Sequence, residues 1–459
     1  MHVDKSKLYI GSLIGIISLP LIFLITVFLD LYSINWAYYQ YDNWRIEQIF
    51  IIGLSIIFYQ YIINKDFAKQ IPNTINIIAL VCILLLSITS YQAKSPTLAV
   101  VDLLLTVSII FYLFILCQVW IVLSALPGNQ FMYMDNMLAA VALAPMYIVF
   151  WCLFGYYLYL TKNIELEWHG AFSNNRYYND TLLPCLFLLW YSPGFLKNKP
   201  KTVTLIASVY LLTLWLDAAR AVWLSIIIAI LSIPLYYRRP FSSIKRPLIS
   251  IFISIFLYVI LIKIIPETAD YNIIRQSSSG RLEMWISGIK NLLDTNGLGI
   301  GGGNFVFAEQ INLSPPRGHI HNVVLQFTLE WGVIGFLFVC ISGYLFVKHI
   351  LIKNQIPILL SAGCIAIVTN MMLSGAHIYP QSQMAILMFF SYALHFNFKE
   401  KLPSRTINNK LSFHIYRLIL TILILVLCTY TFTHFSHREI DKNNVYPAYP
   451  RFWQQASLN

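Results

Sequence analysis

Apolar residues in this chain fall in long runs, and most runs are apolar all round rather than along one stripe, the pattern of helices surrounded by hydrocarbon. A helix needs about 20 mostly apolar residues to cross it. Such runs lie near 8–29, 47–64, 74–91, 98–125, 137–160, 181–196, 202–217, 220–237, 247–265, 331–347, 356–373, 380–396 and 412–434. That predicts about twelve to thirteen spans, the sixth being short and interrupted by Pro184. The first run is long and lacks a small-residue cleavage site, so it reads as a span rather than a signal peptide.

Lys and Arg set the orientation. Lys5 and Lys7, Lys65 and Lys69, Lys197 to Lys201, Arg238 to Arg246, Lys348 and Lys353, and Lys399 to Lys410 all fall on one side if every span is counted. This places the N-terminus in the cytoplasm. Two long connections then lie outside, 161–180 and 266–320. Connections of that length are uncommon in a compact bundle unless they carry function. Four regions follow: helices over 1–265 with the 161–180 loop, the large loop 266–320, a second helical region over 321–396, and 397–459 with a last span and an outer tail. Within the large loop a helix is expected near 280–294, where Leu282, Trp285, Ile289 and Leu292 recur at spacings of three and four.

Composition agrees. The 459 residues are 58% apolar and only 11% charged, with a mean hydropathy of +0.67, against about 25% charged in a soluble domain. A soluble globule, a disordered chain and a coiled coil are excluded. The net charge of +11 is spread thinly between apolar runs, so it marks topology and not nucleic-acid binding. All seven cysteines lie inside apolar stretches without metal-ligand spacing, and no disulfide is expected. The fold class is an all-α polytopic integral membrane protein with short helices in a large outer loop.

The outward side carries the unusual residues. Arg220, in Asp217-Ala-Ala-Arg220, borders hydrocarbon, where an ionisable group is a functional hypothesis by default; an ion pair with Asp217 on one continuous helix is the plainer reading. Arg281 opens the loop helix, and its plainer reading is a solvated charge. Two arginines facing one outer pocket suit a diphosphate, because guanidinium is a charged bidentate fork. The glycine run 297–303 lacks the GxxxxGK[ST] pattern and is read as tight turns. His319 and His321 precede Asn322 at a loop-to-span junction; no third ligand has recognisable spacing, so no metal is expected.

His321-Asn322, nine residues, then Gly332-Val-Ile-Gly335 resembles the signature of the O-antigen ligase superfamily, which includes O-antigen ligases, O-antigen polymerases and bacterial O-oligosaccharyltransferases. The large loop ahead of it, Gly280-Arg281 with Trp285, and Arg220 in Ala-Arg-Ala carry the same resemblance, over roughly 170–395. It implies a metal-independent inverting glycosyltransferase of the membrane-embedded GT-C type, without cofactor, in the bacterial inner membrane with its site facing the periplasm. The implied donor is a glycan on undecaprenyl diphosphate. By that resemblance the catalytic histidine falls on His321 rather than His319, and the diphosphate-binding arginines on Arg220 and Arg281. The polar element Phe172 to Asn179 resembles a functional stretch of the oligosaccharyltransferases, with Asn175 and neighbouring Arg176 as candidates, and Tyr379 falls where those enzymes carry a functional tyrosine.

An imidazole near neutral pKa suits a hydroxyl nucleophile, and a diphosphate leaves as an anion if positive charge stabilises it, so paired carboxylates are not required. The expected acceptor is an exported, pilin-like protein, with lipid A–core (a ligase) or a growing glycan (a polymerase) as alternatives. A transporter or flippase is the competing class; it would place charges at mid-depth, whereas here they collect at one face.

Overall fold

The computed structural model describes residues 5–29, 40–62, 89–125, 130–147, 175–264, 280–309, 318–352 and 355–398, with a few isolated positions besides. Among the described residues there are helices and no strands. We number the helices α1 (Lys5–Leu29), α2 (Gln40–Ile62), α3 (Pro96–Ala125), α4 (Gln130–Leu143), α5 (Asn175–Tyr191), α6 (Pro200–Leu216), α7 (Arg220–Leu235), α8 (Lys245–Ile264), α9 (Arg281–Asp294), α10 (Val323–Phe346), α11 (Ile358–Leu373) and α12 (Pro380–Phe398). Four stretches, Gly11–Phe28, Pro96–Ser124, Phe241–Ile264 and Val323–Ile352, are long and apolar enough to cross a membrane, and α6, α7 and α11 are shorter apolar helices. The chain is a polytopic membrane protein. The expected spans near 74–91 and 412–434 lie almost wholly outside the described residues, and the one near 137–160 is described only in part.

Among the helices that begin earlier than hydropathy indicates, three share one cause. α2 starts at Gln40, α5 at Asn175 and α10 at Val323, so the outer connection expected over 161–180 is already helical from residue 175. The reason is the same each time. Their first turns carry polar side chains that are buried in the bundle: Asn43, Arg45 and Gln48 in α2, Asn179 and Asp180 in α5, Gln326 and Glu330 in α10. A hydropathy run starts only after such residues, whereas the helix does not.

α5 is the central element. It packs against α4, α6, α11 and α12, and Leu182 through Trp190 are buried on every face. Pro184 sits inside it, removing only the bond that would reach the Asp180 carbonyl. Between helices there is little hydrophobic driving force in lipid, so packing and side-chain hydrogen bonds carry the association. Examples are Trp120 Nε1 to Ser391 Oγ (3.0 Å), Tyr178 OH with Thr213 Oγ1 (2.9 Å), Tyr210 OH to the Ala142 carbonyl (3.1 Å) and Trp215 Nε1 to Ser254 Oγ (3.2 Å).

α10 is broken at Gly332, which has φ +61° and ψ −147°. The break frees backbone groups that the glycine run takes up. Ile300 N donates to the Leu329 carbonyl (3.0 Å), Gly301 N to the Glu330 carbonyl (2.9 Å), and Val333 N to the Gly297 carbonyl (3.0 Å). The run 297–303 is therefore a clamp around a helix break, a more specific task than tight turns. Gly332→Ala should destabilise the protein by roughly 2–4 kcal/mol, from a strained φ and a Cβ overlapping the Gly297 and Leu298 backbone. Gly343→Ala, where nothing lies within 4 Å of the new Cβ, should leave the thermal unfolding midpoint in detergent nearly unchanged.

Candidate functional site

The segment 318–322 enters α10 with His321 at φ +58°. Asn322 is the N-cap, its Oδ1 accepting from Leu325 N at 3.0 Å, so that side chain is committed to starting the helix. Ile320 is held on both sides of its backbone. Its N–H donates to Gln326 Oε1 (2.8 Å), and its carbonyl accepts from Trp285 Nε1 (3.0 Å). Its side chain packs with Met284, Phe305 and Leu329 in a small core of its own. Gln326 Nε2 in turn donates to Glu330 Oε1 (2.6 Å), which also accepts from Gly303 N (2.9 Å). The glycine clamp, the buried carboxylate and the histidine loop are thus one hydrogen-bonded chain.

With Ile320 fixed, His319 and His321 turn to the same side, their ring centroids 3.9 Å apart. Arg176 Nη1 lies 3.3 Å from His321 Nε2. A guanidinium has only donors, so this nitrogen accepts and the neutral ring carries its proton on Nδ1. That proton points at His319 Nε2, 2.9 Å away, a nitrogen also approached by the Tyr379 hydroxyl at 3.1 Å. The rings are buried, His321 at 5% exposure. Burial first, then the His319, Arg176, Arg281 and His377 charges, hold the His321 imidazole well below its usual pKa of 6.5. Each of these influences favours the neutral form of the ring.

Arg176, Arg220 and Arg281 act electrostatically on one another here, because the Arg176 and Arg220 charges, after burial, lower the Arg281 pKa. Arg281 Nε is buried without a hydrogen-bond partner. Each arginine stands at a helix start: Arg176 is second in α5, Arg220 first in α7 and Arg281 first in α9. A cation there opposes the helix dipole by typically 0.3–1 kcal/mol. Three arginines at helix starts, two of them acting on the third, concentrate positive charge that suits an anion. The continuous helix on which Arg220 and Asp217 would share a face is not formed, since α6 ends at Leu216 and Ala218 takes φ +49°.

Tyr379 comes in on the turn 374–379. Gly375 permits the approach, because a Cβ there would overlap the Tyr379 hydroxyl and the His319 ring. The turn is pinned from α2: Arg45 donates to the Ile378 carbonyl and, at 2.7 Å, to Gln383 Oε1, and Gln48 Nε2 reaches Gln383 Oε1 at 3.0 Å. Tyr177 packs on Tyr379 with ring centroids 4.3 Å apart.

Of the residues singled out from sequence, Arg176, Arg220, Arg281, His319, His321 and Tyr379 are brought together. Asn322 caps the helix beside them, and the Asn175 side chain lies outside the described residues. Sequence reasoning missed Asp180, whose Oδ1 accepts from Asn370 Nδ2 at 2.7 Å and whose charge acts on Arg176 and Arg281. It also missed Gln326, Glu330 and Arg45; the available signal was a charged or amide residue at four-residue spacing just ahead of an apolar run. Among the described residues no three His, Cys, Asp or Glu side chains converge as metal ligands.

Replacing Gln326 by Leu leaves the Ile320 N–H and the Glu330 carboxylate each short of a partner. An unsatisfied buried group costs about 1–3 kcal/mol. The variant should unfold earlier in detergent, and hydrogen exchange over 318–322 should rise more than over α5.

Residues 203–340, slightly under a third of the chain, match the model of a family described as O-Antigen ligase. The matched stretch runs from α6 through most of α10 and includes Arg220, Arg281, His319 and His321, with Arg176 and Tyr379 outside it. Comparison with curated proteins and with solved structures finds no match.

Proposed function

We propose that this protein transfers a glycan en bloc from undecaprenyl diphosphate to a hydroxyl acceptor, at the periplasmic face of a bacterial inner membrane, by an inverting and metal-independent route. The observation that carries this is the neutral, buried His321 set against three arginines at helix starts. The family described for 203–340 supports the same class of chemistry. The N-terminus is then cytoplasmic, as the basic connections require.

In this reading Arg220 and Arg281 hold the diphosphate of the donor. Arg176 leaves His321 Nε2 for a phosphate oxygen and so frees the lone pair that it otherwise occupies. His321 Nε2 removes the acceptor proton as the oxygen bonds to the anomeric carbon from the side opposite the leaving group. The bond from that carbon to the diphosphate oxygen breaks, and the electron pair leaves on the diphosphate, where the arginines stabilise it. His319 is a positioning residue: its Nε2 accepts the Nδ1 proton of His321 and fixes the tautomer, and Tyr379 orients His319 in turn.

We take an exported protein as the acceptor, because Tyr379, a feature of the oligosaccharyltransferase resemblance, makes a direct bond to His319. Lipid A–core is the second reading, favoured by the description O-Antigen ligase for the matched region. Purified protein, donor lipid and each acceptor in turn test both. Transfer to lipid A–core with none to protein would overturn the first reading, and transfer to neither would overturn the function.

In that assay His321→Ala should lose about 10²–10⁴-fold in rate, whereas His319→Ala should lose about tenfold, the worth of a positioning hydrogen bond. Arg281→Lys should raise the donor KM ten- to a hundred-fold, since the bidentate fork is gone. An active His321→Ala variant would move the base elsewhere.

The pH profile follows from the sign of the His321 shift. A base must be neutral to act, so activity falls as pH drops through its pKa. In the free enzyme that pKa is well below 6.5, and the acid limb of kcat/KM should lie well below that pH. Bound diphosphate offsets the arginine charges and favours the imidazolium, so the acid limb of kcat should lie at higher pH than that of kcat/KM.

A further inference from the structure

The loop helix α9 has more apolar surface than its packing uses. Successive residues advance about 100° around a helix, which divides Arg281–Asp294 into three faces. Met284, Gly288, Leu292 and Trp285 face inward, with Met284 at 1% exposure and Trp285 and Leu292 packed on the Ile320 core. Glu283, Lys290 and Asp294 form a polar face, on which Lys290 pairs with Glu309 at 3.1 Å. Between these lies a stripe within roughly 60° of arc: Leu282, Ile286, Ile289 and Leu293, at 56%, 51%, 48% and 71% exposure. The single face expected from Leu282, Trp285, Ile289 and Leu292 is thus divided: Trp285 and Leu292 are inside, Leu282 and Ile289 outside.

We infer that this stripe rests in the bilayer, making α9 an interfacial helix that lies in the lipid surface on the side of the site. Continuity with the spanning surface argues for lipid over any other occupant. The chain leaving α9 is bonded to the spanning helix, since the Gly297 carbonyl accepts from Val333 N at 3.0 Å. Val333 begins the exposed apolar surface of α10, which continues through Phe336, Leu337 and Ile341 in a stretch long enough to cross the membrane. Exposed Leu298 joins the two surfaces. A helix with an exposed apolar stripe bordered by a charged face is the kind that settles at a headgroup boundary, and the polar face of α9, about 90° from the stripe, then meets headgroups and water. Arg281 is the first residue of α9, next in sequence to Leu282 of the stripe. If the donor is the lipid diphosphate proposed above, its diphosphate reaches Arg281 with its tail still in the bilayer; that consequence rests on the proposed function, whereas the placement of α9 does not.

Spin labels on single cysteines test the placement. Full-length protein with all seven native cysteines replaced by Ser carries one cysteine, labelled at position 286 or 293, or at 283 or 294 for comparison. It is then reconstituted in phosphatidylethanolamine–phosphatidylglycerol vesicles. Elution as a single species controls for folding. Labels at 286 and 293 should collide at least several-fold more with oxygen, relative to a water-soluble nickel complex, than labels at 283 and 294. Equal nickel accessibility at all four positions would overturn the inference. So would shielding of 286 and 293 from both reagents, which means another part of the chain covers them, or spin–spin broadening lost on dilution with unlabelled protein, which means a second copy does. The transfer assay is independent of these readings, so a failed lipid contact and a failed glycan-transfer function are separable.

Discussion

Concentrating positive charge at one end of a helical bundle is the constraint from which the rest of the site follows. Arg176, Arg220 and Arg281 repel one another, and each also opposes the dipole of the helix it begins. Local rules of helix design place acids in these positions, and a departure repeated three times at one place is the mark of a functional demand. The bundle tolerates it because each arginine sits on a different helix that is anchored elsewhere: α5 by burial on nearly all sides, α7 by α11, and α9 by the Ile320 core. Asp180, one turn below Arg176, offsets part of the repulsion from inside the pocket wall.

The same demand explains the construction of the histidine loop. In the proposed reading, a base beside three cations is useful only if its ring is held with the lone pair toward the reaction, and a loop alone does not hold a ring. Here Ile320 carries the constraint, fixed at N–H, carbonyl and side chain between the two histidines. Gln326 and Glu330 extend that hold to the clamp at the broken helix. Gly332 thereby has a purpose beyond bending α10: the break gives the clamp its two carbonyls, and the clamp gives Glu330 its N–H donor.

Hydropathy was enough to place most spans, because lipid requires apolar surface on a spanning helix and leaves long runs to find. It failed systematically at the starts of α2, α5 and α10, where Arg45, Asp180 and Glu330 look like solvent-facing residues and are buried. These are the residues around the site. A hydropathy profile reports what faces lipid, and a polar group facing the bundle interior breaks the run just as water-facing residues do. Arg220, Arg281, His321 and Tyr379 were legible through the spacing of a resemblance. Arg176 was adjacent to a loose match, and its contact with His321, across 145 positions of sequence, had no local signal at all. The two-sided character of α9 was hidden for a different reason: the three- and four-residue spacing is satisfied by any pair of adjacent apolar faces, and only the packed partners separate one from the other.

A base that removes a proton from a hydroxyl acceptor removes one equally well from water, and a lipid-linked glycan attacked by water is a wasted donor. In the proposed reading two features oppose that loss. His319, His321 and Tyr379 are all buried, which keeps bulk water from the reacting nitrogen. Arg176 also occupies the His321 lone pair until an anion draws it away, so the base is exposed only when the diphosphate is in place. Donor binding then precedes activation of the acceptor, and the order arises from one guanidinium having two possible anchors. The interval in which water can compete is confined to the time between donor binding and acceptor arrival. Shortening that interval is the advantage of a helix such as α9 lying in the lipid surface, where a membrane-confined donor meets Arg281 without leaving the bilayer and the opposite side of the site stays free for the acceptor.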